Sequence, residues 1–183
     1  KSHLEETKES FKDDFTETEK TVYFSKRASE IIGTGDTVKS RMDLDTHLDY
    51  EVELAVIIGK KGSDIAKEDV EKYIFGYSIF NDISARELQQ SHFQWYRGKS
   101  LDTYSSMGPC ILHKTALSFP IEVDVKSYVN KELRQSSNTR LFLADIPQII
   151  SEISAGITLE PGDIIITGTP SGWGMGMKPQ GFM

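Results

Sequence analysis

A single cysteine, Cys110, stands in 183 residues, so no internal disulfide is available and a reducing compartment is expected. Long apolar runs are missing too, since no stretch reaches the roughly 18 residues that a membrane span needs. Lys and Arg never run beyond two in succession, and 28 Asp and Glu outnumber 21 Lys and Arg, for a formal charge of -7. Such a chain offers no footprint for a nucleic-acid backbone or an anionic membrane, so neither is expected as a partner and a cytoplasmic location is. The P-loop pattern G-x-x-x-x-G-K-[ST] does not occur, and neither does the G-x-S-x-G elbow of a serine hydrolase. Cys110, set among apolar residues, reads as a core cysteine rather than a nucleophile.

What is present suffices for a full core, because 38% of the residues are hydrophobic, and the length fits one domain spanning 1–183 better than two. Both ends read as cut from something longer: the chain opens on Lys1 without a leader and closes on Gly181-Phe182-Met183 just after a glycine-rich stretch. Residues 1–20 are dense in charge and lack alternation, which predicts a charged helix or a lid.

Further on, Thr21 to Phe24 is a short strand candidate, and Tyr50 to Ile58, rich in β-branched residues and ended by Gly59, is a longer one. Ala66 to Ile74 carries apolar residues at helical spacing, and Gly76 to Phe80 returns to a strand. Gly108 to Leu112 and Ile121 to Val129 read as further strands, the second entering a hairpin at Asn130 and Lys131. Asp145 to Ile157 suits one amphipathic helix, and Pro161-Gly162-Asp163 turns the chain into a strand at Ile164 to Thr167. The sheet expected is largely antiparallel.

The strand Glu51-Val52-Glu53-Leu54-Ala55-Val56-Ile57-Ile58 places Glu51 and Glu53 on the face that also carries Ala55 and Ile57. If both faces are covered, two carboxylates point into protein, which costs several kcal/mol unless something cationic offsets it. Their Cα atoms stand ~6.6 Å apart along a strand, and hard divalent cations take carboxylate oxygens at about 2.0 to 2.6 Å, so both can reach one ion. Asp82, ending the apolar stretch Ile79-Phe80-Asn81, is the best third ligand. Three carboxylates without partnering cysteines favour Mg²⁺ or Mn²⁺ over zinc. The alternative is an exposed edge strand whose glutamates pair with lysines.

Directly after Asp82, Arg86 and Gln89 share a face if Ser84 to Gln89 makes a helical turn, and an arginine fork there suits a substrate carboxylate. An ordinary surface salt bridge is the competing reading. Lys99, in the loop Gln94 to Asp102 with its aromatics and Gly98, is placed to stabilise a developing enolate. Gly168-Thr169-Pro170-Ser171-Gly172 follows a strand and can cup an anionic group, or merely connect. His3 and Glu6, one helical turn apart, have the spacing of a general-base dyad, although a His near a charged terminus is commonly just solvated.

Together, Asp49 to Val56, Asn81 to Arg86, Arg97 to Asp102, and Pro161 to Asp163 with Gly168 to Gly172 resemble the fumarylacetoacetate hydrolase family. The resemblance implies an α+β, mostly β fold, a mixed β-roll or β-sandwich roll with a few short helices. It also implies a homodimer, and Mg²⁺ or Mn²⁺ on Glu51, Glu53 and Asp82. His3 and Glu6 then match the family's water-activating pair on a closing lid, while Arg86, Gln89, Lys99 and Thr169 match its substrate-contacting positions. Lys26 is similar to a lysine that follows the family's first strand, but Arg27 stands where a proline usually does.

The reaction so implied is cleavage of a C–C bond in a small 2,4-dioxo acid of acylpyruvate or fumarylpyruvate type, through an enolate. Oxaloacetate decarboxylation and isomerisation of a hydroxy-dienoate would use the same electron sink. A metal-binding scaffold without chemistry is the non-enzymatic alternative.

Overall fold

The computed structural model describes residues 20–183. Its elements in chain order are β1 (Leu48–Asp49), β2 (Val52–Ile58), β3 (Ile74–Asp82), β4 (Ser84–Ala85), α1 (Arg86–Ser91), α2 (Tyr96–Lys99), β5 (Ser105–His113), β6 (Asp124–Val129), β7 (Glu132–Asn138), α3 (Ile146–Ser154) and β8 (Ile164–Ile166). A 3-10 turn at Lys67–Lys72 joins β2 to β3. The fold is α+β and mostly sheet, with antiparallel ladders throughout: β5-β3-β2-β8, β6-β7, and the small pair β1-β4.

Strand β2 is central, and all seven of its residues are buried. One face sends Leu54, Val56 and Ile58 into the main core with Tyr77, Ile74 and Ile165. The other packs Ala55 and Ile57 with Phe80 against Met107, Ile164 and Ile166. This two-sided burial explains why the strand is a near-continuous run of Val, Ile and Leu rather than an alternating one.

Helix α3 closes the main core. Asp145 caps it by accepting the Gln148 N–H at 2.7 Å, Pro147 sits in its first turn, and Ile146, Ile149 and Ile150 form the buried stripe. Each such isoleucine contributes about 1.5–3 kcal/mol by leaving water. The β6–β7 hairpin turns on Asn130 and Lys131, both in left-handed backbone, as a two-residue connection requires.

Two expectations fail. Thr21 to Phe24 is not a strand: no ladder partner lies beside it among the described residues, and the segment is tied down by single side chains, Tyr23 Oη donating to Glu152 at 2.6 Å and Lys26 reaching into the site. Cys110 is exposed rather than part of the core, because β5 is the outer strand of its sheet and its second half faces away from packed neighbours. No helix among the described residues is long and apolar enough to cross a membrane.

Candidate active site

The site forms where β2 begins and β3 ends. Antiparallel register sets Val52 opposite Asn81, and the Asp82 N–H donates to the Glu51 carbonyl at 2.8 Å, so the two acids meet across the ladder. Glu53 is two residues along the same strand face. Each of Glu51, Glu53 and Asp82 offers an oxygen within 4.8 Å of the others, and all three residues are buried. The exposed-edge reading of the two glutamates therefore fails, since β2 has a strand on each side.

Cations are built around this cluster. Lys99 Nζ lies 2.7 Å from both Glu51 Oε2 and Asp82 Oδ2, and donates to Ser84 Oγ at 3.0 Å. Lys26 Nζ holds the other Asp82 oxygen at 2.7 Å and also donates to the Lys99 carbonyl. Arg86 is buried, not at the surface: Nε contacts Asp49 Oδ2 at 2.9 Å, and Nη1 contacts Glu51 Oε1 at 2.7 Å and Gln89 Oε1 at 2.9 Å. Its guanidinium carbon sits 4.3 Å from the ring centroid of Trp173. Arg86 Nη2, however, is buried without a hydrogen-bond partner among the described residues.

The charges do not balance. Asp49, Glu51, Glu53 and Asp82 face only Lys26, Arg86 and Lys99, and Glu53 has no Lys or Arg paired with it among the described residues. Burial would push the Glu51 carboxyl up, but Lys99 and Arg86 outweigh it and bring it down to about 2. Glu53 goes the other way: burial, then the Asp82 and Glu51 carboxylates, push it well above the usual range. Burial lowers Lys26, with Asp82 offsetting part of it. For Lys99 burial acts downward, yet Asp82 and Glu51 together hold the ammonium above its ordinary value. Three hard oxygen donors, buried together with no cation paired to Glu53 among the described residues, fit Mg²⁺ or Mn²⁺.

Local geometry delivers these groups. Gly98 lets α2 pack directly on α1: a Cβ there would lie 2.6 Å from both the Ala85 carbonyl oxygen and the Gln89 nitrogen. Lys99 follows it into the cluster. Asp49, fully buried, accepts the Gly174 and Met175 N–H groups at 2.7 and 2.9 Å while it holds Arg86, so one carboxylate ties the glycine-rich loop to the guanidinium.

Glu51, Glu53, Arg86, Gln89, Lys99 and Thr169 line one cavity of about 100 Å³, completed by Phe24, Trp95, Trp173 and Gly168. Asp82 is not in its wall and is wholly buried. Phe24 and Trp95 meet edge to face at 5.1 Å. His3 and Glu6, and the lid expected over residues 1–20 apart from Lys20, lie outside the described residues. Sequence reasoning gave no role to Asp49, Gln135, Phe24 or Trp173. Asp49 had a usable signal in its place two residues before Glu51, whereas Gln135 sits in the polar run Arg134-Gln135-Ser136-Ser137-Asn138, where nothing marks it out.

The chain matches the model for the fumarylacetoacetate (FAA) hydrolase C-terminal family over residues 1–183. It belongs to the fumarylacetoacetate hydrolase family. It is 48% identical over 165 residues to oxaloacetate tautomerase YisK of Bacillus subtilis, a match covering 90% of this chain and 55% of the relative. Among solved structures, a fumarylacetoacetate hydrolase from Exiguobacterium antarcticum is 48% identical with a TM-score of 0.87, covering 93% of this chain and 61% of that one. Maleylpyruvate hydrolase from Sphingobium sp. SYK-6, in complex with manganese(II) and pyruvate, is 38% identical with a TM-score of 0.76, covering 85% of this chain and 56% of that one. This chain thus spans little more than half the length of such family members. Named members of the family act on 2-oxo acids.

Proposed function

We propose that the cavity binds a small 2-oxo acid beside a divalent cation, Mg²⁺ or Mn²⁺, and promotes formation of its enolate. The observation that carries this reading is the pairing of two deficits in one pocket: carboxylates short of positive charge at Glu53, and a buried guanidinium edge, Arg86 Nη2, short of an acceptor. A cation supplied with an anionic ligand satisfies both. Held by Glu51, Glu53 and Asp82, the ion would act as a Lewis acid toward the 2-oxo group.

The chain's own residues do the remainder. Arg86 Nη2 donates to a substrate oxygen, with Gln89, Asp49 and Trp173 fixing the plane of its fork. Lys99, adjacent to the carboxylates, offsets the negative charge that an enolate of the bound acid would carry. Phe24, Trp95 and Trp173 form the apolar part of the wall beside that charge.

Among reactions that share this enolate, interconversion of the keto and enol forms of oxaloacetate is favoured by the 48% identity to a tautomerase acting on that acid. The second reading is hydrolysis of an acylpyruvate with water activated by His3 and Glu6. It is supported by the spacing of that pair and by the similarity to maleylpyruvate hydrolase. The reading includes a homodimer, supported by the exposed apolar side chains of Phe75, Ile79, Ile111 and Leu112 on β3 and β5.

Assay of the intact protein with oxaloacetate and a series of 2,4-dioxo acids, with Mg²⁺ and after chelation, tests the proposal. Metal-dependent turnover of at least one substrate is expected. A protein that binds the ion and turns over none of them contradicts it, and unchanged hydrolysis by His3→Ala would remove the water-activating role.

A further inference from the structure

Phe24 and Lys26 enter the site from a segment that belongs to no sheet. Between Val22 and Ile31 every residue except Lys26 is exposed. Among the described residues, no backbone-to-backbone hydrogen bond ties this stretch to a neighbour before Ile32. There the Ile32 N–H donates to the Ser105 carbonyl and the Ile32 carbonyl accepts the Met107 N–H, each at 3.0 Å. A stretch with few buried contacts and no ladder opens at a small fraction of the cost of global unfolding.

Side chains hold it down at two points. At its start Tyr23 Oη donates to Glu152 Oε2 on α3 at 2.6 Å, and Thr21 hydrogen-bonds the same carboxylate. Past the site, the Arg27 N–H donates to Ser100 Oγ at 3.0 Å, and Ser29 Oγ donates to Asp102 Oδ1 at 3.4 Å. Between these anchors lie the two side chains that reach the site. The Phe24 ring meets Trp95 edge to face, with its centroid 5.4 Å from Lys99 Nζ, while Lys26 Nζ holds Asp82. Glu152 is a fixed post: α3 is seated in the main core by Ile146, Ile149 and Ile150, and Gln148 Nε2 donates to Glu152 Oε1 at 2.8 Å from one turn back. Tyr23 is the end that can move.

We infer that residues 21–31 are a strap which lifts from the cavity as a unit about Ile32, and that the Tyr23–Glu152 hydrogen bond is its latch. Lifting takes away the Phe24 wall, so the latch sets the fraction of time for which the cavity stands open to a small anion. Tyr23 and Glu152 are positioning residues that act through Phe24 and Lys26, and neither lies in the motifs on which the family resemblance rests. Their service to a ligand rests on the proposed 2-oxo acid site.

A latch has a kinetic signature that a wall contact lacks. If a ligand passes only while the strap is lifted, weakening the latch raises association and dissociation by the same factor and leaves affinity where it was. Oxalate, a small dianion resembling the head of a 2-oxo acid, is the probe, and stopped-flow tryptophan fluorescence of the Mg²⁺-loaded protein gives both rates. Tyr23→Phe and Glu152→Ala should each raise both rates by about two- to fivefold, with the Kd unchanged. The double variant should match Glu152→Ala alone, since both substitutions break one link. A second arm needs no ligand. Trypsin must have the strap lifted to cleave after Lys26 or Arg27, so cleavage there, read by mass, should quicken by the same factor.

Rates or cleavage that do not respond to either substitution would overturn the inference. So would a rise in dissociation alone, the mark of a lost wall contact, or additive effects in the double variant. Failure of the wild type to bind oxalate, with cleavage after Lys26 still hastened by Tyr23→Phe, would remove the 2-oxo acid site and leave the strap in place. Both side chains are exposed, so thermal melts should stay close to the wild type; if Glu152→Ala loosens α3, Tyr23→Phe decides alone.

Discussion

Lys99 Nζ lies 2.7 Å from Asp82 Oδ2, and neither side chain has more than a trace of exposure to solvent. Removing one partner of a buried pair leaves the other charge stranded, at about 3–5 kcal/mol. Lys99→Met should therefore lower the melting temperature of the metal-free protein. Because a divalent ion supplies the missing charge, added Mg²⁺ should raise the variant's melting temperature more than the wild type's. Turnover should still fall by about 10²-fold or more, since the group facing the developing negative charge is gone. Melts with and without Mg²⁺, set beside initial rates, check both halves.

Arg86→Lys keeps a positive charge but loses the planar fork that spans Asp49, Glu51 and Gln89. The expected outcome is a folded protein whose kcat/KM drops by about 10²-fold, mostly through KM, because the edge proposed to grip the substrate is lost. A kinetic comparison at saturating Mg²⁺ measures this.

The two glutamates of β2 give opposite pH dependences to the metal-free protein. Glu53, held above the usual range by burial and by Asp82 and Glu51, binds its proton more tightly folded than unfolded. From the ordinary carboxyl range up to its raised value, stability therefore falls as pH rises, by up to about 1.4 kcal/mol per pH unit. Glu51, brought to about 2 against an ordinary 4.5, stabilises above 4.5, and that contribution is lost as pH falls toward 2. Denaturant titrations in chelator should show a maximum on the acid side of neutrality, and Glu53→Gln should remove the decline on its alkaline side.

Gly98→Ala places a methyl group against the Ala85 carbonyl and the Gln89 backbone. The α1–α2 packing must open, at about 1–3 kcal/mol, and Lys99 moves with it. Lower thermal stability together with weakened activity is the expected pair of results. The melt and the rate, measured on the same sample, check it.

The parts of this architecture legible in the sequence are those governed by local pattern. The run of Val, Ile and Leu from 52 to 58 announces a two-sided strand, and the face arithmetic of Glu51 and Glu53 follows from pleat geometry alone. The Asp145 cap with Pro147 marks α3, and Asn130-Lys131 marks the hairpin. What local pattern cannot carry is where an element ends up. Thr21 to Phe24 has a strand's composition but no neighbour to pair with among the described residues. Cys110 has an apolar setting but lies on an outer strand. Lys26 and Asp82 are 56 residues apart, and the ion pair between them depends on tertiary closure. Gln135 is invisible for the same reason: its partners at 52, 127, 169 and 170 come from three other segments of the chain.

The central claim is that Glu51, Glu53 and Asp82 share a divalent ion, and calorimetric titration of Mn²⁺ into the wild type and Glu53→Gln tests it most directly. One ion per chain is expected in the wild type. In Glu53→Gln the affinity should fall by at least about tenfold, since losing a direct ligand costs no less than losing an outer partner, while the metal-free variant stays folded. Equal affinity in the two proteins, or no binding by the wild type, would contradict the account.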